Sequence, residues 1–305
     1  CSRSNQYFKT KNNFVESGLS EVYLDEMALE YCRRKKNMYT ITLFPSHNVD
    51  YSIIDNIISK YTDVVYKKTV NLSESGKINY VHNLYYEENW IGSKSDGFGG
   101  IREKARLTFT KGNQIVVYLI EENNEENLVK LKSSIRKICD VGKNSVHIND
   151  TQEETWRIAT SVFNSNSVSF INKRINNSQT PLFDNYFKEY KKLLKTRSDK
   201  EEFCIDSSAV LSAFGIRDCR DLDFLHQKNI SSLAQKIECH NEESHYYLVN
   251  RDEIIFNPRH HFYFHGIKFT NLESVINMKK FRNEEKDKRD IQLTKEAGVL
   301  WELKI

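Results

Sequence analysis

The sequence predicts a mixed α/β (α+β) protein of two closely packed lobes. Three observations carry that expectation: β-branched and aromatic runs alternate with segments of helical periodicity, the chain exceeds one comfortable core, and no linker divides it. The chain has 305 residues, 17 Phe and 16 Tyr for core material, and only 3 Pro and 11 Gly.

The elements follow in order. Met38 to Phe44 is a β-branched and aromatic run stopped by Pro45, 50–61 has a helical pattern, and 62–68 is a second strand. This β-α-β opening predicts a layered lobe. Gly99-Gly100 precedes a helix over 101–110, 114–120 is an almost continuous apolar strand, and 125–139 is a charged amphipathic helix. Asp150 or Thr151, followed by Glu153 and Glu154, marks a helix start that runs to about residue 164. A further amphipathic helix spans 183–194, and the charged stretch 196–202 marks the boundary between lobes of 1–200 and 201–305.

Composition excludes several classes. A net charge of +3 gives no global signal for nucleic acid, and no nucleic-acid partner is expected. The 6 Cys form no close framework and read as reduced thiols of a cytoplasmic protein. No apolar run approaches the ~18 residues that span a bilayer, which leaves peripheral contact with the inner face of the membrane as the widest membrane claim. Cys1 in place of Met suggests a trimmed chain or a piece of a longer one.

The chemistry concentrates at 203–225. Phe203-Cys204-Ile205 is a short buried strand, Ser207-Ser208 opens a helix, Gly215 breaks it, and 220–225 alternates as a strand bearing Asp221 and Asp223. Residues two apart on a strand share a face, so these carboxylates point together while Leu222 and Phe224 face the core. Paired carboxylates suit a hard divalent cation, Mg²⁺ or Mn²⁺, that also binds donor phosphates. A helix start at Ser207 and Ser208 offers N–H groups and hydroxyls to the same phosphates. Arg217 lies in the turn between them.

This cassette resembles the nucleotidyltransferase superfamily, with Ser207 in the place usually held by Gly. The order of motifs continues downstream with Lys279 and Arg282, three apart on one helix, then Lys286-Asp287-Lys288-Arg289-Asp290-Ile291. The resemblance implies a nucleotidyltransferase-like C-terminal lobe in which Asp221, Asp223 and Arg217 are catalytic and Ser207, Ser208, Lys279, Arg282 and Lys286 bind donor phosphates. For the superfamily's third carboxylate, Asp252 and Glu253 are the candidates.

More loosely, 144–155 together with 203–225 are similar to proteins of bacterial capsule and O-antigen loci, among them phosphoribosyltransferases that place ribofuranose on a glycan. That similarity implies a donor, phosphoribosyl pyrophosphate or another that releases pyrophosphate, and a glycan acceptor, lipid-linked in some pathways. The N-terminal lobe then serves the acceptor and sugar side, with Arg102 and Lys104 after the Gly pair, and His147 and Asn149 before a helix, as a second phosphate-binding set. Tyr85, Tyr86 and Trp90 are stacking candidates, with aromatic core as the commoner account. The histidines near 260 read as an aromatic strand with polar substituents rather than a zinc site. Two alternatives stand beside the glycosyl reading: nucleotidyl transfer from a nucleoside triphosphate, and a non-catalytic binding, toxin or antitoxin module.

Overall fold

A computed structural model describes residues 21–176 and 179–299 and divides the chain into two compact units between Val168 and Ser169.

The first unit begins with α1 (Glu21–Arg34) and β1 (Met38–Leu43), followed by α2 (Tyr51–Tyr61) and β2 (Asp63–Asn71). Next come α3 (Glu74–Tyr85), which periodicity alone did not mark, and α4 (Gly99–Thr108). The unit continues through β3 (Gln114–Glu121), α5 (Glu125–Cys139), β4 (Val146–Ile148), α6 (Gln152–Val162) and the start of α7 (Ser165–Lys173). The sheet runs β2-β3-β1-β4, with antiparallel pairing at every junction. β1 and β2 therefore run parallel with β3 inserted between them, the split β-α-β arrangement of ferredoxin-like sheets. The expected β-α-β opening is present, but its two strands are not neighbours.

β1 is buried along its whole length because helices cover both faces of the sheet. On one face Ile54, Ile58, Leu128, Leu131 and Ile135 pack with Tyr39, Ile41 and Leu43. On the other, Thr42 shares a 2.7 Å hydrogen bond with the buried Tyr80 hydroxyl, and Thr155 donates to the Met38 carbonyl at 2.8 Å. Local capping sets the helix starts: Asp50, Asn124 and Thr151 each accept from a backbone N–H two or three residues further on, in the first turn of the helix they open.

The second unit comprises α8 (Pro181–Leu193), α9 (Arg197–Glu202), β5 (Phe203–Ile205), α10 (Ser207–Phe214), β6 (Leu222–His226) and β7 (Ile237–Cys239). It ends with α11 (Arg251–Phe256), β8 (His261–Phe264), β9 (Ile267–Thr270), α12 (Leu272–Arg282) and α13 (Glu285–Glu296). Its five strands are ordered β7-β6-β5-β9-β8. β5 pairs antiparallel with β6 and parallel with β9, so this sheet is mixed. His265 and Gly266, both at positive φ, make the two-residue turn of the β8–β9 hairpin.

The division falls well before residue 200, and aromatic packing gives the reason. On α8, Phe187 stacks on Phe264 at 5.6 Å and meets Phe269 at 5.5 Å, while Tyr190 lies against Phe203 and Phe224. The charged stretch 196–202 is a short helix closed by a Thr196–Asp199 capping box inside this unit. Among the described residues, no helix is long and apolar enough to cross a membrane.

Candidate functional site

Ser207 is one of six non-glycine residues at positive φ among the described residues, and it lies in the cleft. It sits at φ +55°, a left-handed conformation that L-residues other than Gly, Asn and Asp seldom adopt, at the point where β5 turns into α10. Strain of this kind collects at ligand-binding turns. The Asp206 N–H is anchored to the Asp223 carbonyl at 2.8 Å, which ties this turn to the strand bearing the paired carboxylates.

β6 places those carboxylates as the alternation requires. Leu222 and Phe224 are fully buried in the core, while Asp221 and Asp223 are half-buried on the opposite side. β7 adds what the sequence reading missed: parallel pairing sets Glu238 opposite Asp223. Asp221, Asp223, Glu238 and His240 line one cleft of about 930 Å³, together with Ser207, Ser208, Arg217, Lys279, Arg282 and Lys286. The carboxylate pair and all the donor-phosphate candidates from the second half of the chain, with Arg217, thus line a single cleft. Asp252 and Glu253 do not; they occupy the first turn of α11, where Glu253 donates its N–H to the Asn250 cap.

The cleft divides into two electrostatic halves. Asp221, Asp223 and Glu238 make no side-chain hydrogen bond or ion pair among the described residues. Burial pushes the Asp223 carboxyl up to about 6, reinforced by the charges of Asp221, Asp206 and Glu238 and opposed by His240. Behind this group lies fully buried Asp206, which accepts from the Tyr247 hydroxyl and lies 3.4 Å from His240 Nδ1. Burial works against charge on both partners, yet their contact holds the Asp206 pKa below and the His240 pKa above the ordinary values.

The basic half is organised differently from the sequence expectation. Lys279 and Arg282 line the cleft, but both are tied to carboxylates: Lys279 Nζ lies 3.2 Å from Asp287 and 2.8 Å from Asp290, and Arg282 forms a two-pronged pair with Asp287 at 2.9 and 2.8 Å. Arg217 grips Asp290 in the same manner, at 2.5 and 2.7 Å. The result is a continuous chain Arg217–Asp290–Lys279–Asp287–Arg282 with Asp287 and Lys279 at 0% and 2% side-chain exposure. Arg217, expected as a catalytic residue, lines the cleft and is bound into this chain through Asp290. Lys286 pairs with Glu284 at 2.8 Å near the solvent.

The first unit's candidates have internal partners. Arg102 Nε donates to the Gly97 carbonyl at 2.7 Å, and Lys104 Nζ donates to Lys143 O and Asn144 Oδ1, both at 2.9 Å. Gly100 is explained by packing: a Cβ there would stand 2.0 Å from the Trp90 carbonyl oxygen. The Asp96 carboxylate already accepts from Gly99 N at 3.1 Å, so this helix start holds its own anion. His147 Nε2 lies 2.9 Å from Glu154, and its Nδ1 lies 3.2 Å from the Tyr85 hydroxyl. Asn149 is buried, and its amide oxygen accepts from both Thr40 N and Thr40 Oγ1 while its nitrogen donates to Thr151 O and Thr155 Oγ1.

The donor set fits a hard cation. Among the described residues no three His, Cys, Asp or Glu side chains converge as a closed cage. Mg²⁺ does not ask for one, since it takes one or two carboxylates and completes its shell with water and phosphate oxygens. Asp221, Asp223 and Glu238, which make no side-chain hydrogen bond or ion pair among the described residues, are the residues that would hold it. Glu238 was hidden because a three-residue strand carries no periodicity; its only trace is the apolar–acid–apolar run Ile237-Glu238-Cys239. No protein-family model and no curated protein matches this chain, so the chemistry assigned to the cleft rests on its geometry.

Proposed function

We propose that the second-unit cleft transfers a nucleotidyl group from a nucleoside triphosphate to an acceptor hydroxyl, releasing pyrophosphate. One observation carries the reading: three carboxylates that make no side-chain hydrogen bond or ion pair among the described residues, Asp221, Asp223 and Glu238, line one cleft together with six Arg and Lys side chains and a strained helix start. Glu238 supplies the third carboxylate that the nucleotidyltransferase resemblance calls for. A phosphoribosyl pyrophosphate donor, with its phosphate groups at two separated ends, called for a second anion site at 97–104 and 144–151. The groups that would form it are engaged with Asp96, Thr151 and Glu154, which weighs against that donor.

In this reading the acceptor oxygen forms a bond to the α-phosphorus, and the bond from that phosphorus to the bridging oxygen of the β-phosphate breaks. The acceptor's proton passes to solvent or to a base in the cleft. Asp221, Asp223 and Glu238 would hold a divalent cation such as Mg²⁺, which when bound would supply neutralisation of charge on the leaving pyrophosphate. The Ser207–Ser208 turn presents N–H groups and hydroxyls to the chain of phosphates.

The test is pyrophosphate release with Mg²⁺, measured with each nucleoside triphosphate and separately with phosphoribosyl pyrophosphate. Release from a triphosphate, reduced at least about a hundredfold in Asp223→Asn with little change in thermal midpoint, is the expected result. Release from phosphoribosyl pyrophosphate alone would return the glycosyl donor and its glycan acceptor to first place. Silence with every donor would leave the cleft as a binding module.

A further inference from the structure

Five of the cleft's basic residues looked alike in the sequence, yet their donors are used very differently. The Arg217 fork is closed on Asp290, and its remaining Nη1 donates to Asp218 O at 2.8 Å. Arg282 is closed on Asp287, and Lys279 lies between both aspartates. For a phosphate to take the donors already in use it must displace Asp287 or Asp290, at 0% and 4% side-chain exposure, from one of the two cations each is paired with. Stripping a buried carboxylate of its partner is strongly unfavourable.

Two other arginines line the same cleft, Arg220 and Arg289, and neither makes a hydrogen bond or ion pair among the described residues. Both are exposed. Arg220 immediately precedes Asp221. Arg289 stands on α13 in the stripe Lys286, Arg289, Asp290 and Leu293 that forms one wall of the cleft. Although the cleft also holds unpaired Asp221, Asp223 and Glu238, these opposite charges have not closed on one another. Separated charges of both signs that form no ion pair among the described residues fit a ligand that itself carries both, a divalent cation on a chain of phosphates.

We infer that Arg220 and Arg289 are the grip for the polyphosphate chain of the donor, and that Arg217, Lys279 and Arg282 are scaffold cations that shape the cleft. The inference deepens the transferase reading and rests on it for the donor's identity. Each guanidinium offers five N–H donors in a planar fork that matches phosphate oxygens, and neither has to break an existing pair to use it.

Calorimetric titration of the protein with inorganic tripolyphosphate and Mg²⁺ tests it, with nucleoside triphosphate as a parallel arm. Arg220→Ala and Arg289→Ala should each weaken tripolyphosphate binding about tenfold or more at unchanged thermal midpoint. Arg289→Lys should recover little of the loss, because the fork is absent. Lys288→Ala, an exposed cation on the same helix outside the cleft, should bind as the parent does. Parental affinity in both arginine variants overturns the inference, as does an equal loss in Lys288→Ala, which marks a diffuse positive field. A parent that binds no tripolyphosphate overturns it too. Binding that depends on the arginines without transfer from any triphosphate sinks the transferase reading alone; transfer with unchanged donor KM in the arginine variants sinks this inference alone.

Discussion

The two units treat similar residues in opposite ways. In the first, Arg102, Lys104, His147 and Asn149 sit near helix starts, as an anion site would require, and each has internal partners. In the second, Asp221, Asp223, Glu238, Arg220 and Arg289 share a cleft and have none among the described residues. The difference teaches that position at a helix start is weak evidence for a ligand. The stronger sign is charge that the fold has left without compensation.

The largest expected effect probes the scaffold of the cleft. Asp290→Ala removes the shared partner of Arg217 and Lys279, leaving a cation at 2% exposure with one aspartate in place of two. Breaking a buried pair in this way costs about 3–5 kcal/mol, read as a lower denaturant midpoint. A loss confined to donor binding, with parental stability, would mean that the chain of ion pairs is not structural. That result would erase the distinction between scaffold and grip.

Asn149→Ala is the matching change in the first unit. It leaves the buried N–H of Thr40 without the Asn149 oxygen, now 2.6 Å away, and should cost about 1–3 kcal/mol of stability. Polyphosphate affinity should stay at the parental value. A selective loss of donor binding would restore Asn149 to the site.

A last effect is a pH dependence at Lys104. Burial, with the nearby charges of Arg136 and Lys143, lowers its pKa from 10.5 to about 8. Between those values the unfolded chain binds the proton and the folded protein does not, so this group makes stability rise as pH increases from about 8 to 10.5. Lys104→Met should flatten that part of the profile in equilibrium unfolding across the same range. An unchanged slope would place the amine in open solvent, available to an anion.

Much of this was legible in the chain. The strands at 38–44 and 114–120, the helix over 125–139, and the shared face of Asp221 and Asp223 follow from side-chain periodicity, and the structure has each of them. The grouping of Ser207, Asp223, Lys279 and Lys286 in one cleft also follows the order of motifs. Less was visible where the signal was too short or was not local. Glu238 lies on a strand of three residues and acquires its place only by pairing with β6. The insertion of β3 between β1 and β2 depends on partners tens of residues apart. The membership of α8 in the second unit is fixed by Phe187 meeting Phe264 and Phe269, contacts that no local pattern announces.

By itself, the sequence determined many of the longer strands and helices and which of their side chains share a face, because those properties repeat with the local period of the backbone. Tertiary structure alone decided which charges remain available. Lys279, Arg282, Arg220 and Arg289 are all simply basic residues in the sequence. Asp287 and Asp290, brought against the first two by the packing of α12 on α13, compensate them, and leave the other two facing the cleft. Compensation between charges falls steeply with distance and burial, so it is settled only when the chain has folded.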